Sequence, residues 1–340
     1  MRLPLRRLTA AAAATALLLT AAACGGDDKD TADGGKPGKI VIGYQQIPNG
    51  DLVVKHSKWL EQAFGSGTSI EWKLFDSGGS VNEAIQAGSV DIGLVGSSPA
   101  SRGISSGIKY RVPWIFDVIG KAEALAVKGG VTDIQALKGE TIATPFASTS
   151  HYSLLAALQE AGLDAKSVKV IDSEPDAILA AWKRGDIDGA YVWNPVLAKL
   201  LADGGKTLVT SADLAQKGKT TYDLAVVTDK FADKYPDAVK TWVAQQDKAV
   251  KLIKSDPDAA AAAIAAELSI SPADAKAQMG DLIFVDAATQ AGDEYLSKGL
   301  PDNLYATAKF NKDLGQITTV REEKSYQGAV DASFAKSVPQ

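Results

Sequence analysis

The chain has 340 residues, with 36 basic against 41 acidic side chains and a net charge of −5. That balance lacks the basic excess of a nucleic-acid binder, and the lysines are scattered with no aromatic residues interleaved along a basic stripe. A single cysteine excludes a disulfide within the chain, and two histidines beside it cannot assemble the usual zinc site.

Residues 1–24 carry Arg2, Arg6 and Arg7, then an apolar run from Ala10 to Ala23, then Cys24. The run is shorter than the roughly 20 residues a spanning helix needs, and small residues precede the cysteine. This reads as an export signal over 1–23, not a membrane span. The pattern resembles a bacterial lipoprotein signal, in which the cysteine is lipidated and becomes the new N-terminus; Ala21 stands where that family usually has Leu. A lipid on Cys24 implies anchoring on the outer face of the bacterial cytoplasmic membrane. Residues 24–38, glycine-rich and polar, read as a flexible tether, and their aspartates show no organised metal spacing. Loss of the signal leaves 33 basic against 41 acidic side chains, a net charge of −8.

From Lys39 onward the chain is long enough for two domains. Strands are predicted at 39–44 and 70–75 around a helix at 52–64. A second helix is predicted to open at Ser80, with Glu83 completing a capping box, and to close at Gly88; a strand follows at 90–95. This βαβαβ order implies a parallel sheet with helices on its faces. The junction Gly96-Ser-Ser-Pro99 then predicts a helix with Pro99 at its first position and Ser97 or Ser98 as cap.

The pattern restarts after 122–127, with strands at 141–143, 169–171 and 187–193 and helices at 152–161 and 175–183. The first of these helices opens near Ser148 to Ser150 and closes at Gly162. Segment 221–227 mirrors 123–127, and helices at 237–254, 257–267 and 272–280 follow, read as completing the first lobe. The expected fold is α/β and two-lobed, each lobe a mostly parallel sheet with flanking helices. Lobe 1 takes 39–125 and 225–340, lobe 2 takes 126–224, and the two matched segments form a two-strand hinge.

Two strand-to-helix junctions rich in serine carry the chemistry. The first N–H groups of a helix have no intrahelical acceptor and the macrodipole points its positive end the same way, so an anion binds there without Arg or Lys. In an open α/β sheet both junctions lie at the carboxyl ends of strands, where ligands bind.

The segments Tyr44-Gln45, Phe75-Asp-Ser-Gly78, Gly96-Ser-Ser-Pro99, Ser148-Thr-Ser-His-Tyr-Ser-Leu-Leu155, the run from Ala180 to Trp193, and Asp223 resemble the taurine-binding subfamily of ABC-importer solute-binding proteins. The likeness covers nearly all of the exported body and is strongest between Gly43 and Tyr235. It implies a periplasmic-binding-protein fold that hands taurine or a similar small sulfonate to a permease and its ATPase, without cofactor, metal or catalysis. A monomer is expected.

Taurine carries a sulfonate and an ammonium, so its site needs donors facing carboxylates across a short gap. Ser97, Ser98, Ser148, Thr149 and Ser150 are the expected donors. Glu123 and Asp223 are the expected ammonium acceptors, with Asp76 sharing the load or capping the following turn. Trp193, held extended before Asn194-Pro195, walls the ligand and offers cation–π attraction. Gln45 and Tyr44 end the first strand within reach, with Tyr152 a further candidate. Trp59, Trp182 and Trp242 lie on periodic helices as core.

Alternative ligands are alkanesulfonates, sulfate esters and amino-acid-like zwitterions; a plain alkanesulfonate brings no ammonium to neutralise the acidic pair. The rival from another class is a secreted serine hydrolase with Ser150 or Ser97 as nucleophile and His151 as base. It lacks a G-x-S-x-G elbow, and adjacent Ser-His side chains diverge at a helix start. A dinucleotide fingerprint and a P-loop are also lacking.

Overall fold

Two sheets of the same design make up the protein, a computed structural model that describes residues 35–339. The signal, Cys24 and most of the tether lie outside the described residues. Strands β1 (Lys39–Tyr44), β2 (Ser69–Leu74), β3 (Ile92–Gly96), β4 (Tyr110–Val118) and β10 (Tyr222–Thr228) form the first sheet, in the order β2-β1-β3-β10-β4. Strands β5 (Glu123–Val127), β6 (Thr141–Thr144), β7 (Lys169–Asp172), β8 (Gly189–Trp193) and β9 (Lys206–Thr210) form the second, in the order β7-β6-β8-β5-β9. In each sheet one strand runs against the other four: β10 is antiparallel to β3 and β4, and β5 to β8 and β9. Both lobes are therefore mostly parallel in direction, as expected, yet mixed in pairing.

That reversed strand is the first element after each passage between sheets. The segments 123–127 and 221–227, expected to cross between lobes, are instead each a strand of a single sheet, and the passages lie just ahead of them. Strands β4 and β9 were not expected. Pro113 interrupts the first of these, and proline is tolerated there because β4 is an edge strand.

Helices cover both faces of each sheet. In the first lobe α1 (Gly50–His56) and α2 (Trp59–Phe64) follow β1, α3 (Gly78–Gln86) follows β2, and α4 (Ser97–Ser106) follows β3. In the second lobe α5 (Thr149–Glu160), α6 (Pro175–Arg184), α7 (Val196–Ala202) and α8 (Ser211–Ala215) alternate with strands. The chain then returns to the first lobe with α9 (Asp229–Lys234), α10 (Pro236–Ser255), α11 (Pro257–Leu268), α12 (Pro272–Met279), α13 (Ala287–Gln290), α14 (Gly299–Asp313), α15 (Glu323–Ala329) and α16 (Ser333–Lys336). Trp242 of α10 is fully buried against Phe116 of β4, and Tyr326 of α15 is fully buried on the opposite side of the same sheet. Among the described residues no helix is long and apolar enough to cross a membrane.

Helix α14 also reaches the second lobe. Phe310 joins the apolar cluster beneath α5, its ring 4.8 Å from that of Tyr152, and Lys219 Nζ lies over the Phe310 ring at 4.4 Å.

Three helix starts differ from expectation. The stretch 52–64 is broken, because Lys58 takes a left-handed conformation (φ 53°) between α1 and α2. Val53, Leu60 and Phe64 keep one apolar stripe across the break, so periodicity does not reveal it. Helix α3 starts at Gly78 with Ser77 as cap, and Ser77 donates its N–H to Ser80 Oγ, so the pairing is Ser77 with Ser80 and not Ser80 with Glu83. Helix α4 begins at Ser97 with Gly96 as cap, which puts Pro99 third; an N–H there would have no intrahelical acceptor either. Helix α5 opens as expected, capped by Ser148 Oγ on the N–H of His151, and Gly162 follows its end with φ 68°.

Asp51 in α1 supplies a stability prediction. It is buried, accepts from Gln246 Nε2 at 2.7 Å, and keeps its Oδ2 without a donor while Gln246 Oε1 also lacks one. Burial pushes this carboxyl from 3.8 up to about 7, so folding favours its protonated form. Its contribution to stability is greatest at low pH and is lost as pH rises between those values. Asp51→Asn supplies a permanent amide donor for Gln246 Oε1. The melting temperature of the variant should rise relative to wild type as pH goes from 5 to 8, by several degrees at pH 8. A difference that stays flat with pH would refute the protonated carboxyl.

Candidate functional site

The two reversed strands explain how the site is built. Because β5 and β10 run against their neighbours, their first residues lie at the carboxyl ends of the parallel strands, where helices α3, α4 and α5 begin. Glu123 is the first residue of β5 and Asp223 the second of β10, so each carboxylate meets helix N-termini. Asp223 stands opposite Gly96 on one side and Asp117 on the other; Glu123 stands opposite Trp193.

Glu123 is buried and saturated with donors. Its Oε2 accepts from Thr149 Oγ1 at 2.6 Å and Ser150 Oγ at 2.8 Å, and its Oε1 from Ser211 Oγ at 2.7 Å and Ser153 Oγ at 3.3 Å. Burial raises its pKa, while the four hydroxyls oppose that rise by stabilising the ionised form. Asp223 has no such escort. Burial first, then the charges of Asp117 and Glu123, push it well above the usual carboxylate range.

Asp117 completes the acidic group. It is fully buried at the end of β4, directly opposite Asp223 in the ladder, with Oδ2 accepting from Asn49 Nδ2 at 3.1 Å. Burial pushes it up to about 7.

The cavity between the lobes is lined by Gln45, Ile47, Pro48, Gly78, Gly96 and Pro99 from the first lobe, by Ser148, Thr149 and Trp193 from the second, and by Glu123 and Asp223. Ile119, Ala122, Asn194 and Leu282 close it. None of these residues is basic. The cavity measures about 20 Å³, against the ~10–15 Å³ one water needs, so the cleft between the lobes is narrow. Two further contacts tie the lobes together. Ser77 Oγ donates to Glu174 Oε1 at 3.1 Å, and a Cβ on Gly96 would fall 2.5 Å from Thr149 Cγ2.

Of the residues expected at the site, Gln45, Glu123, Ser148, Thr149, Trp193 and Asp223 line this cavity. Gln45 is held there by donating to the Leu94 carbonyl at 2.9 Å. Ser97, Ser98 and Ser150 stand behind the wall. Asp76 lies apart, lining an outer cavity with Phe75, Pro175, Asp176 and the far side of Trp193. Tyr44 packs edge-on against Trp72, and Tyr152 against Phe310. Trp182 and Trp242 are core, while Trp59 is partly buried under Lys248.

The hydroxyls expected to meet the ligand are largely engaged within the protein. Thr149 and Ser150 donate to Glu123, and Ser148 Oγ donates to the Pro145 carbonyl while capping α5. Ser97 Oγ accepts from the Tyr222 N–H and Ser98 Oγ from Asn311 Nδ2. Ser97 and Ser98 only accept and keep their O–H hydrogens, but neither lines the cavity, so the donors at its wall are the first backbone N–H groups of α4 and α5. The proposed nucleophile and base do not meet: Ser150 serves Glu123, while His151 Nδ1 accepts from the Ala147 N–H and its ring stacks on Phe146 at 4.4 Å. Burial lowers that imidazole to about 4.

Asp117, Asn49, Ser153 and Ser211 are the residues that sequence reasoning missed. A lone carboxylate in the apolar run 112–119 was the available sign for Asp117; the hydroxyls Ser153 and Ser211 gave none.

Residues 33–270 match the NMT1-like family. Over 193 residues, 57% of this chain and 60% of the relative, the sequence is 42% identical to the taurine-binding periplasmic protein of Escherichia coli (strain K12). It is 32% identical over 229 residues, 66% of this chain and 68% of the relative, to a Bacillus subtilis (strain 168) protein provisionally named as binding aliphatic sulfonates. The chain thus spans 60% of the length of the first of these relatives. The alkanesulfonate-binding protein SsuA from Xanthomonas axonopodis pv. citri, solved with MOPS bound, superposes with a TM-score of 0.72 over 88% of this chain and 98% of that one. At 21% identity that likeness shows the fold alone.

Proposed function

The chain belongs to the NMT1-like family, and from that premise we propose that it is an extracytoplasmic solute-binding protein of an ABC importer. It captures taurine or a related small aminosulfonate between its lobes and delivers it to the permease and ATPase. One observation carries the reading. Three buried carboxyl groups, Asp117, Glu123 and Asp223, gather at an inter-lobe cavity whose described lining holds no basic side chain, beside the N–H groups that open α4 and α5. A sulfonate is weakly basic and is satisfied by neutral N–H donors, while an ammonium supplies the counter-charge the carboxyls require. The relative named for taurine points the same way.

A binding role fits better than catalysis, because Ser150 donates to Glu123, Ser97 stands behind the cavity wall, and His151 faces Phe146 and the Ala147 N–H. Lipidation of Cys24, with residues 24–38 as tether, accords with delivery at a membrane surface. Residues 119–122 and 220–221, where the chain passes between sheets, are the proposed hinge, and small-angle scattering should register compaction on ligand binding.

A second reading, a plain alkanesulfonate, draws support from the Bacillus relative. It leaves the acidic group without a cation. Calorimetric titration with taurine and with ethanesulfonate, the same sulfonate without the ammonium, separates the two. Taurine is expected to bind on the order of 100-fold more tightly, the effect of losing one or two charge-assisted hydrogen bonds. The reverse order would assign the protein to alkanesulfonates, and silence from both would leave only the fold.

A further inference from the structure

We propose that Asp117 and Asp223 hold one proton between them in the ligand-free protein, and that an entering ammonium takes that proton's place and expels it to solvent. The inference rests on the aminosulfonate reading above and adds a determinant of specificity, Asp117, that does not line the cavity.

The geometry carries it. The two buried residues stand directly opposite each other across the β4–β10 ladder, the arrangement that brings paired side chains side by side. Asp117 Oδ2 is committed to Asn49, and its Oδ1 is buried with no N–H or hydroxyl donor. A carboxyl proton shared with Asp223 satisfies that oxygen. Two like charges in contact cannot both ionise in a dry site, and one proton between them relieves the conflict.

The groups acting on the pair offer no cation. Asn49 ahead of α1 is neutral, and the charged groups are Glu123 from β5 and the pair itself. The helices that pack on β4, among them α10, α15 and α16, bring no charge that shifts Asp117. Glu123 is already supplied by its four hydroxyls, so the proton belongs to the aspartates. Burial raises both aspartates, which supports a proton held near neutral pH.

An ammonium and a proton each bring one positive charge, so their exchange leaves the buried charge unchanged. A plain sulfonate brings no replacement and must bind with the proton retained. Taurine affinity therefore rises with pH, by at most tenfold per unit while the pair is protonated, and ethanesulfonate affinity does not. Asp117 acts through Asp223 as a positioning residue.

The test is calorimetry of taurine binding near pH 6.5 in two buffers of contrasting ionisation enthalpy, with infrared spectra of the protonated-carboxyl band before and after ligand, all recorded in an Asp51→Asn background because buried Asp51 is itself protonated at this pH. The Asp51→Asn parent should release close to one proton and lose the band on adding taurine. Asp117→Asn donates an amide N–H to Asp223 permanently. It should lack the band and bind taurine within about tenfold of the parent while releasing almost no proton. Taurine heats identical in both buffers, a band that survives taurine, or an Asp117→Asn variant that still releases a proton would each overturn the exchange. No such band in the ligand-free parent would overturn the shared proton itself. Silence toward taurine with the band present would retire the aminosulfonate reading and the exchange with it, while the shared proton would stand.

Discussion

Replacing Asp223 with Asn should weaken taurine about 100-fold while leaving ethanesulfonate within about threefold of its wild-type affinity. The size follows from the chemistry removed: an ionised acceptor for an ammonium in a buried site, worth about 1.5–3 kcal/mol per hydrogen bond, together with part of the local field. The amide keeps the shape of the side chain, so the sulfonate end of the cavity, set by α4 and α5, is untouched. A folding defect would not imitate this result. Asp223 is a carboxyl whose pKa folding raises, so its ionised form opposes folding as pH rises above the normal carboxylate range. The ligand-free variant should accordingly melt no lower than wild type at pH 8. Calorimetry with both ligands decides the matter, and equal losses for the two would remove Asp223 from ammonium recognition.

Gly96→Ala should weaken any ligand that binds by closure, by about 10- to 100-fold, and the reason is a single methyl. The glycine has an extended backbone (φ −71°, ψ 163°) that any residue can adopt, so no strain arises in the first lobe alone. Across the cleft, however, the added Cβ lies 2.5 Å from Thr149 Cγ2. Thr149 cannot turn away without giving up its 2.6 Å hydrogen bond to Glu123. Overpacking of this kind costs about 1–3 kcal/mol, and here the cost falls on the closed state. The melting temperature of the ligand-free variant should hold, and the radius of gyration should no longer fall on saturation. Adding Thr149→Ser keeps the hydroxyl and deletes the clashing methyl, and should restore affinity to within about threefold. An unrescued double variant would show that the loss has another origin.

Local grammar made much of this legible in the sequence. The junctions Gly96-Ser-Ser-Pro99 and Ser148-Thr-Ser150 announce helix starts through residue types alone, and Glu123 and Asp223 stand out as carboxylates heading apolar strands. What stayed hidden depends on pairing. Asp117 enters the site only because β4 lies beside β10, more than a hundred residues later, and Pro113 disguises β4 as a loop. The commitment of Thr149 and Ser150 to Glu123 and of Ser211 to the same carboxylate, 88 residues away, cannot be read from either end of those contacts. Hydroxyls that looked like ligand donors are the mounting of a buried charge. Helix breaks fall in the same class: Lys58 interrupts a stripe that periodicity sees as continuous.

The reach of α14 into the second lobe gives the protein a door with one jamb. On the flank where Phe310 packs against Tyr152 and under Lys219, parting the lobes means pulling an aromatic ring out of an apolar cluster. Beside Phe75, Asp76 and Pro175, by contrast, one fastening is the hydrogen bond from Ser77 to Glu174. Losing that bond costs far less than unpacking a buried phenylalanine. The proposed opening is therefore expected to be lopsided, with ligand passing the face of Trp193.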